Sequence, residues 1–300
     1  MRIDPARKSL AALYRRSSPS NSLLVTERCD NFCLMCSQPP KERDDSALVD
    51  ELLDAIPLMS PETRQLGITG GEPALLGDRL VGRVDVMKTH LPRTAVHILS
   101  SGRRFADPDF ASHLAAVRHP DLMIGIPLYA DLPEDHDYVV QALGAFDETI
   151  RGILNLRRAG VRVKLRVVLH AETYRRLPEL ARFIARNLLF VEHVALMGLE
   201  LEGFVRTNLD ALGSNPTPMP KHSSRPPRSS TAPASAFRST TCLYASFRRR
   251  CTDSLARAFP TGKISTSTSA RRARRRMAAA ASSRPRLTDG PPPSVPSDWH

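Results

Sequence analysis

Aromatic residues make up only 5% of this 300-residue chain, and its single tryptophan, Trp299, stands next to the last residue. A run of about 18 apolar residues, the length that spans a bilayer, is missing. So is a signal-peptide core between residues 1 and 22, where Arg2, Arg7, Lys8, Arg15 and Arg16 break up the apolar positions. These two absences argue against a membrane span and against secretion, and leave the cytoplasm as the expected compartment. Cysteine is scarce as well: five residues, an odd number, in a chain that nothing marks as secreted, which argues against a disulfide framework. Glutamate and glutamine are absent from residues 211–300, which hold 16 of the 43 Lys+Arg but only 3 of the 31 Asp+Glu. The first 210 residues are therefore nearly neutral, and the formal charge of +12 belongs to the tail.

That tail is built from Ser, Thr, Pro, Ala and Arg, with Ile264 and Val295 as its only β-branched aliphatics. Such a composition buries too little apolar surface to offset the entropy of ordering. Residues 213–300 are expected to form a disordered, low-complexity basic tail. The Arg248–Arg250 and Arg271–Arg276 runs suit phosphate contacts, but no base-stacking aromatic pattern accompanies them, so nucleic acid is not the expected partner. Translation out of frame from GC-rich DNA also produces Arg, Ala, Pro and Ser with loss of Glu, and is the favoured origin. Residues 1–21 read as a solvated N-terminal leader, and residues 22–212 as the core domain.

Within the core, short β-rich runs alternate with helical patterns. Expected strands are Leu23–Thr26, Gln65–Thr69, Val96–Ser100, Leu122–Pro127, Val163–Leu169 and Val194–Met197. Leu48, Val49, Leu52, Leu53 and Ile56 share one helical face after Asp44, Asp45 and Ser46 as candidate caps. Leu80, Val84, Met87 and Leu91 mark a second helix. A third runs from Asp147 to a C-terminal Gly160, and Leu177, Leu180, Ile184 and Leu188 mark a fourth. Alternating β and α units predict an α/β fold with a parallel sheet. Six such units fit a partial (β/α)6, TIM-like barrel, although patterning alone does not separate this from a doubly wound sheet.

Cys29, Cys33 and Cys36 form a C-x3-C-x2-C triplet directly after the first strand. Barrel chemistry sits at strand C-termini, so this placement favours the barrel. Three thiolates suit a [4Fe–4S] cluster with one iron left open, since such clusters usually take four cysteines. A structural zinc site needs four ligands; the next histidine is His90, and the other cysteines are Cys242 and Cys251, in the tail. One strand later comes Gly70-Gly71-Glu72-Pro73, which by itself is a turn: paired glycines reach backbone angles closed to other residues. The third strand ends in Ser100-Ser101-Gly102, readable as an ordinary turn. Arg166 interrupts the fifth strand and must find a partner; a structural ion pair is one option. His170 and Gly198 close the fifth and sixth strands.

The triplet followed one βα unit later by Gly-Gly-Glu resembles the radical SAM superfamily. The resemblance implies a radical SAM barrel in which Cys29, Cys33 and Cys36 hold a [4Fe–4S] cluster whose fourth iron is chelated by S-adenosylmethionine. Gly70, Gly71 and Glu72 would receive the methionyl ammonium, with the glycines letting the backbone approach and Glu72 accepting hydrogens. Ser100 and Arg166 become contacts to the ribose or carboxylate, and Gly198 leaves room for adenine. Family members often carry an aromatic residue before the third cysteine, where this chain has Met35. Longer phrases, among them Thr26–Asn31, Leu34–Pro40, Ile126–Tyr129, Glu134–Val140, Gly144–Ile150 and Asn187–Val191, resemble the C-type radical SAM maturase of the His-Xaa-Ser peptide-modification system. That narrower likeness implies a ribosomally made peptide or small-protein substrate, a reduced flavodoxin or ferredoxin as electron donor, and a second radical SAM maturase as partner. Two alternatives stay open: a zinc- or iron–sulfur-binding nucleic-acid-associated protein using the basic tail, and a truncated core without productive turnover.

Overall fold

A computed structural model describes residues 2–4, 8–213 and 242–246. Strand β1 (Arg2–Asp4) pairs antiparallel with β2 (Ser9–Ala11). The main sheet then takes β3 (Asn21–Thr26), β4 (Gln65–Gly70), β5 (Ala95–Leu99), β6 (Leu122–Pro127), β7 (Arg162–Leu169) and β8 (His193–Gly198) in strict chain order, every neighbouring pair parallel. The order settles what patterning left open. A doubly wound sheet reverses direction at a switch point; here each strand adds beyond the last, as in a partial (β/α)6 barrel. The six expected strands all appear, each within two residues of its expected ends.

Eight helices connect the strands among the described residues: α1 (Ser46–Ala55), α2 (Asp78–His90), α3 (Pro108–Ala116), α4 (Pro133–Val140), α5 (Ala145–Arg158), α6 (Ala171–Tyr174), α7 (Leu177–Asn187) and α8 (Leu209–Leu212). Their apolar stripes, with Leu52, Leu80, Val84, Ile153, Leu180 and Ile184, pack on the sheet positions Leu23, Ile68, Ile98 and Leu165 in one core. The period of two is clearest in β7: Val163, Leu165, Val167 and Leu169 are buried in that core, while Lys164, Arg166 and Val168 are half-buried on the other face. Gly160 ends α5 at φ +80°, with Val161 N–H donating to Leu156 C=O at 2.9 Å, the closing bond of a Schellman motif.

Three expectations change. Asp45 stands at the N-cap of α1 but makes no capping bond; its buried carboxylate accepts from Thr26 Oγ1 (2.5 Å) and Glu27 N–H (3.0 Å), while Asp44 accepts from Ser46 N–H. The leader is not wholly solvated: Leu13 and Tyr14 pack against the core, and Tyr14 Oη pairs with Thr63 Oγ1 at 2.8 Å. Within the stretch expected to lack structure, β9 (Cys242–Ser246) runs antiparallel to β8 with Met197 opposite Cys242. The edge of β8 away from β7 presents the main-chain groups that β9 takes up, as such an edge does for any extended segment. The remainder of the expected tail, residues 214–241 and 247–300, lies outside the described residues.

Candidate functional site

The segment from Glu27 to Asp45 has no helix or strand of its own, so its position depends on borrowed hydrogen bonds. Several neighbours supply them. Gly71 N–H donates to Thr26 C=O (2.9 Å) and Glu72 N–H to Arg28 C=O (2.8 Å), binding the loop to the end of β4. Phe32 and Leu34 N–H donate to Val140 and Val139 at the end of α4, at 3.0 and 2.9 Å. From beyond β8, Phe204 N–H reaches Cys36 C=O (2.9 Å) and Asn208 Nδ2 reaches Leu34 C=O (2.9 Å). Gly203, at φ +56°, permits this crossing: a Cβ there would overlap the Cys36 and Ser37 carbonyl oxygens.

These bonds bring Cys29, Cys33 and Cys36 to one cleft of 290 Å³ at the C-terminal ends of the strands. All three thiols are free and half-buried. Burial pushes the Cys29 thiol up to about 12, with nearby Glu72 and Asp30 adding to the effect and an Asn31 main-chain N–H opposing it. Cys33 is also raised, by burial first and then by Cys29 and Cys36; Cys36 is raised by burial. Three free, half-buried thiols brought to one cleft suit a cationic group that deprotonates them on binding. Among the described residues no three His, Cys, Asp or Glu side chains converge on a point for a single metal ion. An iron–sulfur cubane makes no such demand, because each thiolate takes a different iron.

The glycines at the end of β4 press on protein. Gly70, at φ +149°, places its Cα where a Cβ would overlap the Thr26 carbonyl oxygen; a Cβ on Gly71 would overlap that of Arg28 and lie 3.1 Å from Cys29 Cβ. Their expected role in admitting a ligand is thus joined by another, the seating of the turn against the cysteine loop. Glu72 departs further from expectation. Its carboxylate is fully buried and accepts from Ala74 N–H (2.8 Å), Ser100 Oγ (2.7 Å) and Ser101 N–H. A carboxylate has about four lone-pair sites, so three are already taken by the chain itself. Burial, and then Asp30, raise its pKa, opposed by the bonds from Ser101 and Ser100. Ser100 is equally committed, since its Oγ also accepts from Gly102 N–H at 3.0 Å.

Across the cleft the side chains are less occupied. Arg166 lines it from β7, half-buried, and its guanidinium makes no hydrogen bond or ion pair with the described residues. The structural ion pair weighed from sequence is therefore not formed there. Gly198 lines the cleft at the end of β8 with nothing within 4 Å of a built Cβ. Tyr129, two residues beyond β6 at the end of the fourth-strand run Gly125–Tyr129, also lines the cleft; its ring stacks on His136 at 5.8 Å. Met35 is buried among Tyr129, Val139, Val140 and Val205 and also faces the cleft. His170 is fully buried and does not line it; burial lowers its pKa to about 4. Arg103 was also missed: it bonds to Asp30 and Asn31, a contact across 73 positions that no local pattern reveals. No helix among the described residues is long and apolar enough to cross a membrane.

The sequence model described as the Radical SAM superfamily matches residues 23–184. No curated protein matches the chain. Among solved structures, Streptococcus suis SuiB bound to S-adenosylmethionine is similar at 15% identity and TM-score 0.48, covering 60% of this chain and 40% of that one. Native anSMEcpe with bound AdoMet is similar at 15% identity and TM-score 0.47, covering 60% and 51%. TsrM from Kitasatospora setae, with cobalamin and a [4Fe–4S] cluster bound, is similar at 17% identity and TM-score 0.41, covering 59% and 36%. This chain therefore spans about two-fifths of the length of SuiB.

Proposed function

The chain belongs to the radical SAM superfamily, whose members use a [4Fe–4S] cluster and S-adenosylmethionine, and from that premise we propose that it is a maturase acting on a ribosomally made peptide. The observation that carries the reading is the joining of the cysteine loop to the Gly70-Gly71-Glu72 turn by two main-chain hydrogen bonds, beside one cleft. Cys29, Cys33 and Cys36 hold the cluster. When bound, the cluster and S-adenosylmethionine supply a one-electron cleavage that yields methionine and a 5′-deoxyadenosyl radical able to take hydrogen from an unactivated carbon.

The chain's own residues bind, orient and shield. Main-chain groups of Gly70 and Gly71 face the methionyl ammonium, while Glu72 and Ser100 hold the turn that presents them. Arg166 pairs with the methionyl carboxylate: a half-buried guanidinium needs an acceptor, and a charge-assisted bond there is about twice as strong as a neutral one. Gly198 leaves space for the adenine. Met35, Leu99, Pro127, Val168, Met197 and Leu199 give the cleft apolar walls that keep water from the reacting carbon.

The peptide substrate is of the His-Xaa-Ser type, with a second radical SAM maturase and a reduced flavodoxin or ferredoxin as partners. The support is the set of longer phrases between Thr26 and Val191. Residues from about 213 onward are read as out of frame, a matter decided by the encoding DNA: another frame restoring acidic residues and clustered cysteines supports the slip, and early stops in both other frames refute it. The enzymatic reading is tested by anaerobic reconstitution with iron and sulfide, reduction, and product analysis. 5′-Deoxyadenosine and methionine are expected, at least slowly without peptide. Zinc without sulfide, or methylthioadenosine as the sole nucleoside product, overturns it.

A further inference from the structure

Arg103 lies just beyond β5, its side chain 16% exposed. Its Nη1 donates to Asp30 C=O and to Asn31 Oδ1, both at 2.7 Å, and its Nε donates to Glu148 Oε2 at 2.6 Å. The Asp30 carboxylate lies 3.5 Å from the same Nη1. One guanidinium thus ties the two residues that follow Cys29 to helix α5. Its place is fixed from two sides. Ser101 Oγ accepts the Arg103 main-chain N–H at 3.4 Å. Gly152 lets α5 press so close that a Cβ there would overlap the Gly102 carbonyl oxygen, and Glu148 sits one turn earlier on that face. Asp30 and Asn31 directly follow Cys29 in the chain, so the tie ends one residue from the first thiol.

We propose that Arg103 is a positioning residue that fixes the Cys29 end of the cluster loop and, as a largely buried cation beside it, raises the reduction potential of the cluster. The proposal rests on the cluster reading above. Reduction adds one electron, taken from an external reductant, with no bond made or broken. A fixed positive charge favours the more negative state, and outer partners of ligands tune potentials through charge and hydrogen bonding. Asp30 and Glu148 oppose the cation, so removing Arg103 leaves two carboxylates facing the cluster loop.

The test is a potentiometric titration of the full chain, reconstituted anaerobically with iron and sulfide and followed by electron paramagnetic resonance. Arg103→Met should weaken the reduction equilibrium about tenfold, about 59 mV for one electron. Glu148→Gln should shift it about threefold the other way, and Arg103→Lys, which keeps the charge, should stay within about threefold of the unaltered chain. A purely structural role gives no such pairing of signs. Unchanged potentials at full iron and sulfide content, or shifts of the same sign in Arg103→Met and Glu148→Gln, overturn the proposal. Should Arg103→Met fail to hold a cluster, the other two variants decide: Glu148→Gln must still raise the potential and Arg103→Lys must preserve it. An unaltered chain that takes up no iron and sulfide overturns the cluster reading and this inference together, and does so before any variant is compared.

Discussion

The two walls of the cleft are built differently. On the side of β4 and β5, key polar groups are spent on the protein itself: Glu72 on Ala74, Ser100 and Ser101, and Gly71 N–H on Thr26, while behind that wall Arg103 is spent on Asp30, Asn31 and Glu148. On the side of β7 and β8, Arg166 has no bonded partner among the described residues, and Gly198 faces open space. The first wall holds a loop in place, and the second leaves groups for a ligand. Damage to the first should therefore appear in stability and metal content, and damage to the second in ligand affinity with the fold intact.

The largest effect belongs to the cysteines. Cys33→Ala is expected to abolish the cluster, read as loss of iron and sulfide, because among the described residues no thiol beyond Cys29, Cys33 and Cys36 lines the cleft; a variant retaining full iron would break the assignment. Gly71→Val comes next. Its Cβ has to displace the Arg28 carbonyl and crowd Cys29, at about 3 kcal/mol of overpacking. Metal uptake and S-adenosylmethionine binding should fall together; if only binding falls, the turn does not support the loop.

Glu72→Gln sharpens the contrast. The amide keeps the shape but faces three donors with one acceptor oxygen, so a loss of about 1–3 kcal/mol is expected, or about 2–4 °C in Tm for each kcal/mol. Arg166→Met should do the reverse, with stability within about 0.5 kcal/mol and S-adenosylmethionine affinity about tenfold weaker or more by calorimetric titration. If Glu72→Gln changes affinity without stability, or Arg166→Met changes stability without affinity, the division between the walls is wrong. The smallest effect is expected of Gly198→Ala: no change in Tm, because nothing lies within 4 Å of the added carbon, and a severalfold loss of S-adenosylmethionine affinity if the proposed adenine site lies there.

What was legible in the sequence follows the same division. Strands β3 to β8 announce themselves because each is a short run with one or both faces buried, and the cysteine triplet and paired glycines are local in the chain. Helices α3 and α4 escaped: each is short, 9 and 8 residues, and opens on a proline, Pro108 and Pro133, that reads equally well as a turn. The support of the loop escaped for another reason. Arg103 with Asn31, Glu72 with Ser101, and Asn208 with Leu34 are contacts across 72, 29 and 174 positions, set by the winding of the sheet and not by any neighbouring residue. Glu72 is the instructive case. Its motif drew attention to a ligand, whereas burial turned its carboxylate toward the next strand end. Arg166 was legible as a cation out of place in a strand; only the structure showed that it makes no ion pair among the described residues.

The most direct measurement is the electron paramagnetic resonance spectrum of the reduced, reconstituted chain with and without S-adenosylmethionine. A cluster held by Cys29, Cys33 and Cys36 with its fourth iron open to that ligand should give a signal that changes shape on addition of S-adenosylmethionine. The change should require about tenfold more ligand in Arg166→Met, matching the loss of one charge-assisted bond. A signal indifferent to S-adenosylmethionine at every concentration, or the absence of any cluster signal in chain loaded with iron and sulfide, would contradict the placement of cluster and cofactor in this cleft.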